Sequence, residues 1–128
     1  MNTLVGNLKL SLLLHLTLLL VLRARKRSAR IAHLMREHSF VLQIQTRAGW
    51  GGHFVLRDAR LALHPGLHSS PDHVQSWIDG GAAFAALIGG DETELLRAFE
   101  DGRLRMQGQF LIALWFSEVM KLARNPER

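Results

Sequence analysis

The stretch "AFEDGRLRMQGQFLIALWF", residues 98–116, changes its hydrophobic period twice. Up to Glu100 it completes a helical pattern. In "DETELLRAFEDG", Leu95, Leu96 and Phe99 make one apolar face, and Asp91 stands at the N-cap position with Glu94 three residues later, as in a capping box. Gly102 is a natural C-terminal stop. The period then becomes two: Leu104 and Met106 fall on one face of a strand, with Arg103, Arg105 and Gln107 on the other. Finally "FLIALWFSEVMKLAR" begins a helix with seven consecutive apolar residues, 110–116. A helix that is apolar nearly all round is either central to a core or faces a greasy cavity.

Upstream, the alternation recurs. In "SFVLQIQTR", Phe40, Leu42 and Ile44 alternate with Val41, Gln43 and Gln45, as a half-buried strand requires. "AGWGG" is a glycine turn. "HFVLRDARLALH" reads as two strands around a tight turn at Asp58-Ala59, and "PGLHSSPD" as a loop. "HVQSWI" is a fourth strand. "DGGAAFAALIGG" is a short helix whose small residues allow close backbone approach. Residues 23–38, with Ala24, Ile31, Leu34 and Met35 at three- and four-residue steps, suit an amphipathic helix. The order predicts an α+β fold: a mostly antiparallel five-stranded sheet with helices on one face.

The stretch at 98–116 is similar to the signature region of sterol-carrier-type lipid-binding domains. There a helix ends in a glycine, a basic-apolar strand follows, a second glycine closes it and an apolar helix begins. The matching positions are Phe99, Gly102, Arg103, Leu104, Arg105, Met106, Gly108 and residues 111–116. The hairpin "FVLQIQTRAGWGGHFVLRDARL" resembles that family's opening strands. The sequence departs from the pattern at Arg103 and Arg105, where lysine is frequent, at Gln107, and at Ala59, where a turn glycine is common. Its leucine-rich start is an extension that the soluble carriers lack. The resemblance implies a curved sheet and a tunnel for acyl chains, sterols or isoprenoid tails. Some bacterial members of that family are accessory factors of ubiquinone synthesis, and the resemblance extends to that kind.

On that reading Phe84, Leu87, Leu95, Phe99, Met106, Phe110, Leu111, Leu114 and Trp115 line the lipid site, because each methylene withdrawn from water contributes about 0.8 kcal/mol. The same residues equally suit an ordinary core, and spacing alone does not separate the two.

The net charge of +5 is unevenly placed. Residues 1–36 carry seven basic side chains and no acid, which leaves the remainder mildly acidic. A nucleic-acid partner is therefore not expected, since the positive charge does not belong to the folded body. Residues 4–22 make about 28 Å of helix, close to a hydrocarbon thickness of about 30 Å. The charge follows the apolar run instead of preceding it, unlike a cleavable signal peptide. Residues 1–23 are thus expected as a hydrophobic membrane-anchoring helix. Leu12, Leu13, Leu16, Leu19 and Leu20 would contact lipid, with Arg23, Arg25, Lys26 and Arg27 at the head groups and the folded domain on the cytoplasmic side. Residues 24–124 are expected as the lipid-binding domain, and 125–128 as a tail. The alternative is a protein-interaction module that docks a partner, for instance one in a lipid pathway, through the leucine helix.

Catalysis is not expected. The chain has no cysteine and no tyrosine. The serines lack a nucleophile elbow, and the glycine pairs lack a phosphate-loop lysine. His64, His68 and His73 with Asp72 share one proline-broken loop but follow no zinc-ligand spacing, so no metal is expected there. Apart from a bound lipid, no cofactor is implied.

Overall fold

A computed structural model describes residues 2–89 and 92–124. The chain runs α1 (Asn2–Ala24), α2 (Ala29–Arg36), β1 (Phe40–Thr46), β2 (Gly51–Arg57), β3 (Arg60–Pro65), β4 (His73–Trp77), α3 (Gly80–Gly89), α4 (Glu92–Glu100), β5 (Leu104–Gly108) and α5 (Phe110–Arg124). The capping role expected of Asp91 lies outside the described residues.

The five strands form one open sheet in the order β3-β2-β1-β4-β5. β1 and β4 are parallel and every other pair is antiparallel. The fold is α+β, as the alternating and helical periods indicate. The β2–β3 turn holds Asp58 and Ala59 at φ of 53° and 62°, the left-handed pair that matches the twist of a two-residue hairpin.

Register sorts the side chains into two faces. Phe40, Leu42 and Ile44 of β1 stand beside Leu56, Phe54 and Gly52 of β2, and they join one core with Trp115 and Phe116 of α5. Phe40 meets Trp115 edge-on at 4.8 Å, and Phe54 lies 6.1 Å from Phe116. The helices cover this inner face. On the outer face the loop after β3 folds back. The His68 N–H donates to Gln43 Oε1 at 2.6 Å, and His53 Nδ1 sits 2.9 Å from the Gly66 carbonyl.

Where the sequence reads a single amphipathic helix over 23–38, the structure has a turn. The chain leaves α1 after Ala24, and Ser28 starts α2 by accepting the Ile31 N–H at 3.2 Å. Serine is a strong N-cap, and its side chain satisfies one of the donors a new helix leaves free. Trp115 Nε1 then ties α5 to α2 by donating to the Leu34 carbonyl at 2.9 Å.

The first helix is part of the domain. Leu10, Leu13, Leu14, Val21 and Ala24 are buried in the same core as the sheet residues. Burying each leucine contributes about 1.5–3 kcal/mol. Gly6 crosses Gly80 and Gly81 of α3 so closely that a Cβ on Gly80 would meet the Gly6 carbonyl. The small residues expected to permit a close approach in α3 therefore receive α1. The helix has an inner and an outer side. The inner side packs because its leucines fill the space over β2 and β3. The outer side presents Val5, Leu8, Leu12, Leu16 and Leu19 to solvent.

Candidate functional site

The inner face of β4 carries an unexpected set of side chains. Alternation points His73, Gln75 and Trp77 inward and Val74 and Ser76 outward. Their lateral neighbours are Leu42, Ile44 and Thr46 on β1, and Gly108, Met106 and Leu104 on β5. α3 and α5 cover the strand. His73 and Trp77 are 0% exposed and Gln75 is 6% exposed. Both ring nitrogens of His73, Oε1 of Gln75 and Nε1 of Trp77 find no hydrogen-bond partner among the described residues. Burial holds the His73 pKa below its ordinary value, so its imidazole is neutral at pH 7.

The end of this strand is fixed firmly. Asp72 accepts the Val41 N–H at 2.7 Å through its carboxylate, and its carbonyl accepts the Gln109 N–H at 2.9 Å. Gly108, at φ of 99°, packs against the Asp72 carbonyl where no Cβ would fit. This close crossing sets the start of α5, and it brings the Phe110 ring to 5.9 Å from the His73 ring.

The residues expected to line a lipid site fall into three groups. Trp115 is buried in the core between Phe40 and Leu34. Phe84, Leu95 and Met106 are half-buried and pack on that core. Phe99, Phe110, Leu111 and Leu114 are exposed, Leu114 at 66%. The side chain of Leu87 lies outside the described residues. α4 turns Ala98 inward, so Leu96 and Phe99, expected on its apolar face, look outward. α5 divides likewise: Ile112, Trp115, Phe116 and Val119 are inside while Phe110, Leu111 and Leu114 remain outside. Sequence reasoning passed over His73, Gln75 and Trp77 as a group. The available signal was a polar or amphipathic residue at every second position of a short strand.

The expected membrane contacts divide as well. Leu12, Leu16 and Leu19 are exposed, together with Val5 and Leu8, which the expectation did not include. Leu13 falls on the packed side of the helix and is buried in the core. Leu20 is half-buried against the core. Arg25 is half-buried and its guanidinium donates to the Ala59 carbonyl at 3.3 Å, whereas Arg23, Lys26 and Arg27 are exposed.

The loop histidines do not converge. His73 is on the inner face, whereas His64 and His68 flank His53 on the outer face, with ring centroids 5.4 and 5.1 Å away from that of His53. Asp72 is engaged by Val41. Among the described residues no group of three histidine, cysteine or acidic side chains is placed to hold a metal ion.

No family model and no curated protein matches the sequence. Solved structures do match the fold. The structure described as "UbiJ-SCP2 Ubiquinone synthesis protein" is similar with a TM-score of 0.59 and 16% identity, over 77% of this chain and 80% of that one. The stereoselective inverting sec-alkylsulfatase Pisa1 from Pseudomonas sp. is similar with a TM-score of 0.53 and 14% identity, over 69% of this chain and 14% of that one. The chain thus has the sterol-carrier-type fold that the stretch at 98–116 suggested. Within that fold the similarity includes the kind found in a ubiquinone synthesis protein.

Proposed function

We propose that this chain is a non-catalytic lipid-binding module that works against a membrane surface. An acyl, sterol-like or isoprenoid chain is held between the inner face of the sheet and α5. The observation that carries this reading is the apolar surplus of α5. Its inner residues complete the core, yet Phe110, Leu111 and Leu114 leave a second apolar side more than half exposed. Phe110 also reaches the inner face of β4. A surface of this kind on a small domain marks a binding function, and the fold it shares with a ubiquinone synthesis protein supports an isoprenoid-tailed ligand.

The outer side of α1 supplies the membrane contact. The packed helix cannot also span a bilayer, because withdrawing it would uncover Leu10, Leu13, Leu14 and Val21. It lies in the interface instead. Val5, Leu8, Leu12, Leu16 and Leu19 enter the acyl boundary, while Arg23, Lys26 and Arg27 meet anionic head groups at about 1 kcal/mol each. Such lipids favour the cytoplasmic leaflet, which places the folded domain on that side.

Mass spectrometry of the native protein after gentle extraction tests the ligand. A copurified lipid at near one per chain is expected. Its absence, together with no binding of a fluorescent long-chain alcohol or acid, would overturn the reading. Flotation with anionic vesicles tests the membrane contact. If the protein stays at the bottom of the gradient and instead recovers one stable protein partner through α1, the docking-module alternative replaces it.

A further inference from the structure

We infer that His73, Gln75 and Trp77 form a recognition row for a neutral oxygen-bearing head group, an alcohol, phenol or carbonyl, on the bound amphiphile. This inference rests on the lipid-binding reading and specifies the class of ligand.

Three successive inward positions of one strand carry it. They are spaced by two residues, so the row extends over roughly 13 Å. Each side chain is more than nine-tenths buried, and each turns at least one unpartnered polar atom toward the layer between sheet and helices. An unpaired buried polar atom costs about 1–3 kcal/mol, and among the described residues this one strand holds four. Folded proteins rarely leave such groups without a use. A purely hydrocarbon occupant would leave all four unpaired.

The chemistry of the atoms narrows the partner. Trp77 Nε1 can only donate and Gln75 Oε1 can only accept, while neutral imidazole offers one of each. A hydroxyl both donates and accepts, and it matches this mixture. A carbonyl answers the donors from Trp77 and His73. A carboxylate fits poorly. The lateral neighbours of the row on β1 and β5 are Leu42, Ile44, Thr46, Gly108, Met106 and Leu104, none of them charged. An ionised head held against these strand neighbours would meet no counter-charge from them, and burying it costs well above a neutral group. Burial also keeps His73 uncharged.

Binding of three pyrene-labelled dodecyl probes to the full chain at pH 7.4 tests the inference, the probes differing only in ending as alcohol, carboxylic acid or hydrocarbon. The alcohol is expected to bind about tenfold more tightly than the acid. In the Gln75→Met, Trp77→Phe double variant, which leaves only His73 of the row, the alcohol should lose most of its advantage over the hydrocarbon, whose own affinity changes little. The single Gln75→Met variant, which keeps the side-chain length, guards against loss of folding and should lose part of the preference. If the acid equals or exceeds the alcohol, or if both variants keep the preference, the recognition row is overturned while hydrocarbon binding still upholds the lipid reading. If none of the three probes binds, both fall.

Discussion

Gly80, at the start of α3, lies against the peptide carbonyl of Gly6 in α1, and a Cβ added to Gly80 would overlap that oxygen. Neither backbone can yield without moving a helix. Gly80→Ala is expected to lower stability by about 1–3 kcal/mol, read as a reduced urea midpoint. Gly81→Ala is the control. A Cβ there would meet only Asp79 Oδ1 at 3.4 Å, and the midpoint should not fall.

The two sides of α1 should respond oppositely. Leu14 is 3% exposed, and Leu14→Ala should cost about 2–5 kcal/mol in chemical denaturation. Leu12 is 56% exposed, and Leu12→Gln should change stability by no more than about 0.5 kcal/mol. The same substitution, combined with Leu16→Gln, should strongly reduce vesicle flotation. Equal destabilisation at the two positions would contradict the two-sided helix.

The hairpin turn offers a gain. Ala59 holds φ at 62°, a conformation that costs an L-residue with a Cβ about 1–2 kcal/mol. Glycine relieves this but costs about 0.4–1 kcal/mol through the added entropy of the unfolded chain, less than the strain removed. Ala59→Gly should therefore raise stability modestly in thermal denaturation. The bond from Arg25 goes to the Ala59 carbonyl, so it survives the change.

Acid should weaken the fold through His73. Its folded pKa lies below the ordinary 6.5 because burial penalises the charged ring. Between the lowered value and about 6.5 the unfolded chain binds the proton more readily, so stability rises with pH there. The contribution is fully present above about pH 6.5 and is lost as pH falls through the depressed folded value. Denaturation midpoints between pH 7.5 and 5 should decline less steeply in His73→Leu than in the parent chain.

The parts of the fold legible in the sequence are those with strong local signals. Alternation marked β1, β2 and β5, Asp58-Ala59 marked the hairpin turn, and Gly102, at φ of 84°, stopped α4. The parallel pairing of β1 with β4 carried no such signal, since it joins strands separated by a whole hairpin and a loop. The packing of α1 was equally hidden. The leucine run carries only a thin polar stripe at Asn7, Ser11 and His15, too slight to separate Leu13 from Leu12. At the candidate site, Phe110, Met106 and Trp115 were found as apolar residues, but their different depths depend on which way α5 is rolled. His73, Gln75 and Trp77 escaped notice as a row because burial usually selects apolar residues, and here the inward positions of β4 all carry polar atoms.

The burial of α1 by later elements has a consequence for biosynthesis. The helix is made before every element that covers it. At about 5–20 residues per second, the roughly 90 residues between Ala24 and Phe116 take about 5–20 s to translate. During that interval Leu10, Leu13 and Leu14 are as uncovered as Leu12 and Leu16, and the basic turn that follows them is already present. On the proposed membrane reading, a nascent chain near a bilayer would commit this helix to lipid before the sheet exists to claim it, and the order of synthesis would set the competition between the two fates.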